Sequence, residues 1–71
     1  MGRIVIDPKV RHSKPVIKGT RVSADVILGA LAGEMSVDEV TKEYEITRDD
    51  ALAAIEYAAE LISTEEIEEY A

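Results

Sequence analysis

The segment Lys14–Val22, KPVIKGTRV, gathers three cations and no acid in a chain whose net charge is −7. Arg11 stands three residues upstream. Ammonium and guanidinium groups bind phosphate by charge, and the guanidinium adds a planar fork that can hold two oxygens at once. Arg11, Lys14, Lys18, Thr20 and Arg21 are therefore candidate nucleic-acid contacts. Gly19 would let the chain turn with positive φ at no steric cost. The Thr20 hydroxyl could hydrogen-bond the local backbone and fix that turn. Arg21 would then project from a defined place, or else fold its stem back to pair with an acid such as Asp25.

The rest of the chain offers catalysis little. His12 is the single histidine and has no nucleophile beside it. Ser13, Ser23, Ser36 and Ser63 fall where helix caps or loops are expected, and Gly29 and Gly33 form no phosphate-cradling run. The acid pairs Asp38/Glu39, Asp49/Asp50 and Glu65/Glu66 sit where first helical turns are expected, and there the helix dipole favours negative charge. The expectation is a binding protein with no enzymatic activity, no cofactor and no metal site.

Charge is unevenly spread. Residues 1–21 hold six cations and one acid; residues 22–71 hold two cations and fourteen acids. Halves of opposite sign suggest surfaces for different partners. At 71 residues without cysteine, the chain buries only about 60% of its unfolded surface and has no disulfide to compensate. A homodimer is the expected remedy. The apolar runs fall far short of the ~20 residues of a membrane span, and MGRIVIDP lacks the apolar core of a signal peptide. A soluble, cytoplasmic protein is expected.

The elements that would carry these groups can be read from local signals. Ile4–Asp7 is β-branched and stops at Pro8, which reads as a short strand. Pro15–Ile17 reads as a second, with the proline at its first position. Beyond Val22 an apolar residue and a hydroxyl recur together, with another apolar residue five positions past the first. These are Val22-Ser23 with Ile27, Met35-Ser36 with Val40, Ile46-Thr47 with Ala51, and Ile62-Ser63 with Ile67. That is the spacing of an N-cap with a hydrophobic staple, and Glu39, Asp50 and Glu66 complete capping boxes in three of them.

Helices are thus expected over 24–32, 37–44, 48–62 and 64–70, with Gly33 as a left-handed stop for the first. Apolar spacing within them nominates Ile27, Ala30, Leu31, Val37, Val40, Tyr44, Leu52, Ile55, Ala59 and Ile62. Ala51, Ala54 and Ala58 form a small-residue stripe suited to close helix approach, and with the two strands it motivates the dimer. The second and third helices, joined by Glu45-Ile46, have a helix-turn-helix silhouette. The start of the third carries Arg48 beside Asp49 and Asp50, a poor surface to face phosphates. Any DNA binding is therefore expected from the basic arm.

Lys14-Pro15-Val16-Ile17, Gly19-Thr20-Arg21, the Ser36–Tyr44 helix and Ala51-Leu52 with Tyr57-Ala58-Ala59 together resemble the DUF433 family of small prokaryotic proteins. The similarity spans roughly residues 4–62. One departure is the connection after Tyr44, which is shorter than the proline-containing form commoner in the family. The resemblance implies a mainly α fold: a homeodomain-like three-helix helix-turn-helix core over 23–62. A basic, strand-containing arm over 1–22 would precede it, and an acidic C-terminal helix over 63–71 would follow, in a single domain.

The resemblance also implies an antitoxin-like protein that binds and neutralises a ribonuclease-type (PIN-like) toxin and represses its own operon. In that setting STEEIEEYA becomes a candidate toxin contact, its Glu65, Glu66, Glu68 and Glu69 imitating RNA charge around Ile67 and Tyr70. An arginine of the arm entering the toxin's carboxylate cluster is the other route. A stand-alone DNA-binding regulator, or a dimeric interaction module without DNA binding, are the alternatives.

Overall fold

The computed structural model describes residues 3–6, 8–9 and 14–63. β1 (Ile4–Ile6) and β2 (Pro15–Ile17) pair antiparallel, with Ile4 opposite Ile17, Val5 opposite Val16 and Ile6 opposite Pro15. Pro15 thus takes the first position of its strand, where a missing N–H is tolerated. On its other side Val16 bridges Ser23. That bridge seats the small sheet directly against the start of the first helix.

Three helices follow: α1 (Ala24–Ala32), α2 (Val37–Tyr44) and α3 (Arg48–Ser63). Their bounds match the expected ones apart from one added residue, Ser63, because reciprocal caps mark two of the starts. At α2 the Glu39 N–H donates to Ser36 Oγ at 3.0 Å and the Ser36 N–H to Glu39 Oε1 at 2.8 Å. At α3 the Asp50 N–H donates to Thr47 Oγ1 and the Thr47 N–H to Asp50 Oδ2, both at 3.1 Å. Each pair satisfies two backbone donors that the helix leaves orphaned. Ser23 differs: it occupies the N-cap of α1, but its enclosed hydroxyl caps nothing. Ser63 ends α3 and donates its hydroxyl to the Glu60 carbonyl at 2.9 Å. The fourth helix expected beyond it lies outside the described residues.

The left-handed stop of α1 is not Gly33, whose φ is −85°, but Glu34, at φ 77°. The Met35 N–H reaches the Ala30 carbonyl and the Glu34 N–H reaches that of Leu31. This is the Schellman pattern with the positive φ one residue later than the glycine suggested. A side chain in this region costs roughly 1–2 kcal/mol, part of which the freer unfolded state of a glycine chain would offset. Glu34→Gly is therefore expected to stabilise the fold by about 0.5–1 kcal/mol, seen as a melting temperature about 4 °C higher.

The core forms where α3 crosses both shorter helices and the sheet. Ile27, Val40, Ala51 and Ala54 are fully buried in it, with Ile4, Ile17, Ala24, Ile46 and Ala53 around them. Here the structure corrects the reading of α3. Ala51 and Ala54 are core residues of the subunit itself, whereas Leu52, Ile55, Ala59 and Ile62 are exposed. The physical reason is space. Ile27 of α1, Val40 of α2 and Ile4 and Ile17 of the sheet already fill the core, so close packing leaves alanine-sized room on the α3 side, and the nine and eight residues of α1 and α2 cannot enclose a second, bulkier seam. The alanine stripe therefore gives no motive for a dimer. Among the described residues no helix is long and apolar enough to cross a membrane.

Candidate functional site

The turn after β2 is held by four hydrogen bonds within six residues, Ile17 to Val22. The Thr20 N–H donates to the Ile17 carbonyl at 3.0 Å, and Gly19 between them has φ +82°. That positive φ at the third position is what a type II turn needs from glycine. Thr20 Oγ1 donates to the same carbonyl and accepts from the Val22 N–H, both at 2.9 Å. The Ile17 N–H donates to the Val22 carbonyl at 2.9 Å, and the Lys18 N–H ties the turn to the Arg3 carbonyl at 2.7 Å. Thr20 thus spends its hydroxyl on the turn and has no proton left to donate to a ligand.

The same geometry decides which cations are available. Lys18 and Arg21 flank Gly19-Thr20, both exposed, and neither side chain has an ion pair or hydrogen bond among the described residues. Lys14 instead donates to Asp25 Oδ2 at 3.2 Å. The Ser23 hydroxyl and then the Lys14 ammonium hold the Asp25 carboxyl below its ordinary range, although the Ser23 contact is too poorly placed to count as a hydrogen bond. The expected Arg21–Asp25 pair does not form. Four-residue spacing brings side chains together only within a helix, and residues 21–23 precede α1. Arg11 lies outside the described residues, as do Glu65, Glu66, Ile67, Glu68, Glu69 and Tyr70.

At the start of α3 the charges are already matched. Arg48 Nη1 lies 3.2 Å from Asp38 Oδ1 of α2. Arg3 Nη1 reaches Asp50 Oδ1 at 2.9 Å, and its Nη2 stands 3.7 Å from Asp49. The only cation of this first turn is thus engaged with a carboxylate, and the surface beside it is acidic. Asp49 and Asp50 sit in the first turn as the dipole favours. The Arg3 pairing was invisible in the sequence, because forty-seven residues separate the partners. Among the described residues no three His, Cys, Asp or Glu side chains lie where they could share a metal ion.

These features define a small, mainly helical domain whose two-stranded antiparallel sheet presents a rigid cationic turn beside its first helix. The family described as a protein of unknown function (DUF433) matches residues 4–58, so the chain belongs to the DUF433 family. No curated protein and no solved structure matches it.

Proposed function

We propose that this protein is antitoxin-like: it neutralises a ribonuclease-type (PIN-like) toxin and binds its own operator DNA through the Lys18–Arg21 turn. In this reading α2 and α3 form a homeodomain-like helix-turn-helix whose third helix serves as scaffold rather than as base reader. The observation that carries the reading is the separation of charge. Two cations stand unpaired among the described residues on a hydrogen-bonded turn, while the helical body is strongly acidic and its Arg48 is tied to Asp38. An acidic body repels nucleic acid, so a DNA contact must be local, and most of the surface is left for a basic protein. The homodimer has one remaining support, the outer edge of β1, unpaired among the described residues. A second β1 could add there, though two three-residue strands need further contacts to hold.

The test uses DNA from upstream of the chain's own reading frame and the product of the adjacent frame. The wild-type chain should abolish RNA cleavage by that product at one-to-one stoichiometry. In a mobility-shift titration, Lys18→Ala with Arg21→Ala should reduce the salt dependence of DNA affinity by about 1.8 in slope, about 0.9 for each phosphate no longer neutralised. Arg48→Ala should leave it unchanged. A strong Arg48 effect with an unaltered double variant would return DNA reading to α3.

A further inference from the structure

Leu52, Ile55, Ala59 and Ile62 recur along α3 at intervals of three, four and three residues, the spacing by which one helix face packs on another body. The three bulky members are exposed at 42%, 39% and 61%, although α3 already buries Ala51 and Ala54 on its inner side. On one flank of this seam stand Glu56 and Glu60, one turn apart, both exposed and both without an ion pair among the described residues. Asp49 extends the same flank toward the start of the helix, where Arg3 shares it. The other flank carries Ala51 and Ala58 and no charge.

A second copy of the chain is a poor occupant. Sixteen residues make a helix about 24 Å long and about 10 Å across. Against another such helix it offers a few hundred Å² at most, short of the about 800 Å² per partner of a stable interface. Antiparallel pairing would also set Glu56 and Glu60 beside their own copies, and the one cation at the head of the seam, Arg48, is engaged by Asp38. A groove does better on both counts. It encloses the helix on three sides, as helix-in-groove recognition does, and basic rims answer the unpaired glutamates.

We propose that the outward face of α3 is the docking surface for a cationic protein, which receives Leu52, Ile55 and Ile62 in an apolar groove and meets Glu56 and Glu60 with Lys or Arg at its rim. This rests on the antitoxin reading and names the surface by which the toxin is held. It differs from the acidic tail and from the arm, the two routes expected from the sequence.

The probe is the purified product of the adjacent reading frame, titrated calorimetrically with the full chain. The variant Leu52→Ser, Ile55→Ser, Ile62→Ser should fold, since all three side chains face solvent; circular dichroism checks this. It should bind at least about 100-fold more weakly, because buried apolar anchors dominate such interfaces. Glu56→Lys with Glu60→Lys should weaken binding by about 10-fold, most of it in low salt. Lys18→Ala with Arg21→Ala should bind like wild type. If wild type binds and the serine variant binds equally well, the α3 surface is wrong and the functional reading stands. If wild type does not bind at all, the functional reading falls and takes this proposal with it. Light scattering supplies one more way to overturn it: a wild-type dimer that the serine variant dissociates would make a second copy the occupant.

Discussion

Ile27→Ala should bring the chain to the edge of unfolding at 25 °C. Ile27 is fully buried where α1 meets α3, and removing so much of a core side chain costs about 2–5 kcal/mol in forfeited burial and residual cavity. A chain of 71 residues carries about 4–10 kcal/mol of total stability, at roughly 0.05–0.15 per residue. The loss is thus comparable with the whole. The surrounding shell cannot collapse to fill the gap, because Ala24, Ala51 and Ala54 have nothing more to extend. Urea unfolding followed by circular dichroism should show the midpoint fall by half or more. Leu52→Ala, one position from a core alanine, should change stability by less than about 0.5 kcal/mol. Equal costs at the two positions would contradict the assignment of the inner and outer faces of α3.

Asp50→Ala should be the most damaging change at a residue outside the apolar core. Asp50 closes the capping box with Thr47 and receives Arg3 of the strand region, so one carboxylate ties the start of α3 to the polypeptide ahead of β1. Loss of a helix cap alone costs about 0.5–2 kcal/mol. With the part-buried ion pair added, a drop of about 2 kcal/mol and of about 8–15 °C in melting temperature is expected. The pH dependence identifies the charge. Burial raises the Asp50 pKa, but the Thr47 N–H, the Arg3 guanidinium and the Thr47 hydroxyl together outweigh it and hold the carboxyl below its ordinary 3.8. A group that binds its proton less readily when folded stabilises fully above its unfolded pKa and loses that contribution as pH falls through the folded value. The advantage of wild type over Asp50→Ala should therefore be complete at neutral pH and shrink below pH 3.8. A difference in melting temperature that stays constant down to about pH 2 would show that the carboxylate charge contributes nothing.

Thr47 with Asp50 and Arg3 with Asp50 represent two kinds of constraint, one set along the chain and one set across it. Features that depend on neighbours within five residues were legible in the sequence: the capping boxes at Ser36 and Thr47, the turn at Gly19-Thr20, the bounds of α1 and α2 and the start of α3. Each follows from backbone donors that only a nearby side chain can reach, so the local string is enough. The cationic turn was legible for the same reason, since Thr20 acts on residues 17 and 22. The stop of α1 was legible only to within one residue, because Gly33 tolerates either sign of φ and the backbone bonds to Ala30 and Leu31 placed the left-handed residue at Glu34.

Pairings between distant segments were not legible. Which cations remained free depended on Arg3 meeting Asp50, Lys14 meeting Asp25 and Arg48 meeting Asp38, partners that any of fifteen acids could have supplied in the sequence. The inner face of α3 is the largest departure from the sequence reading, which gives the alanine stripe to a dimer contact and not to the core. Two seams, Ala51 with Ala54 and Leu52 with Ile55, are both apolar and both helical in period, so periodicity cannot rank them. The side chains facing α3 selected the alanines for the core, because Ile27, Val40, Ile4 and Ile17 fill the space there and leave no room for leucine or isoleucine from α3 as well. The bulkier seam was thereby turned to solvent, where it forms the face proposed for a partner.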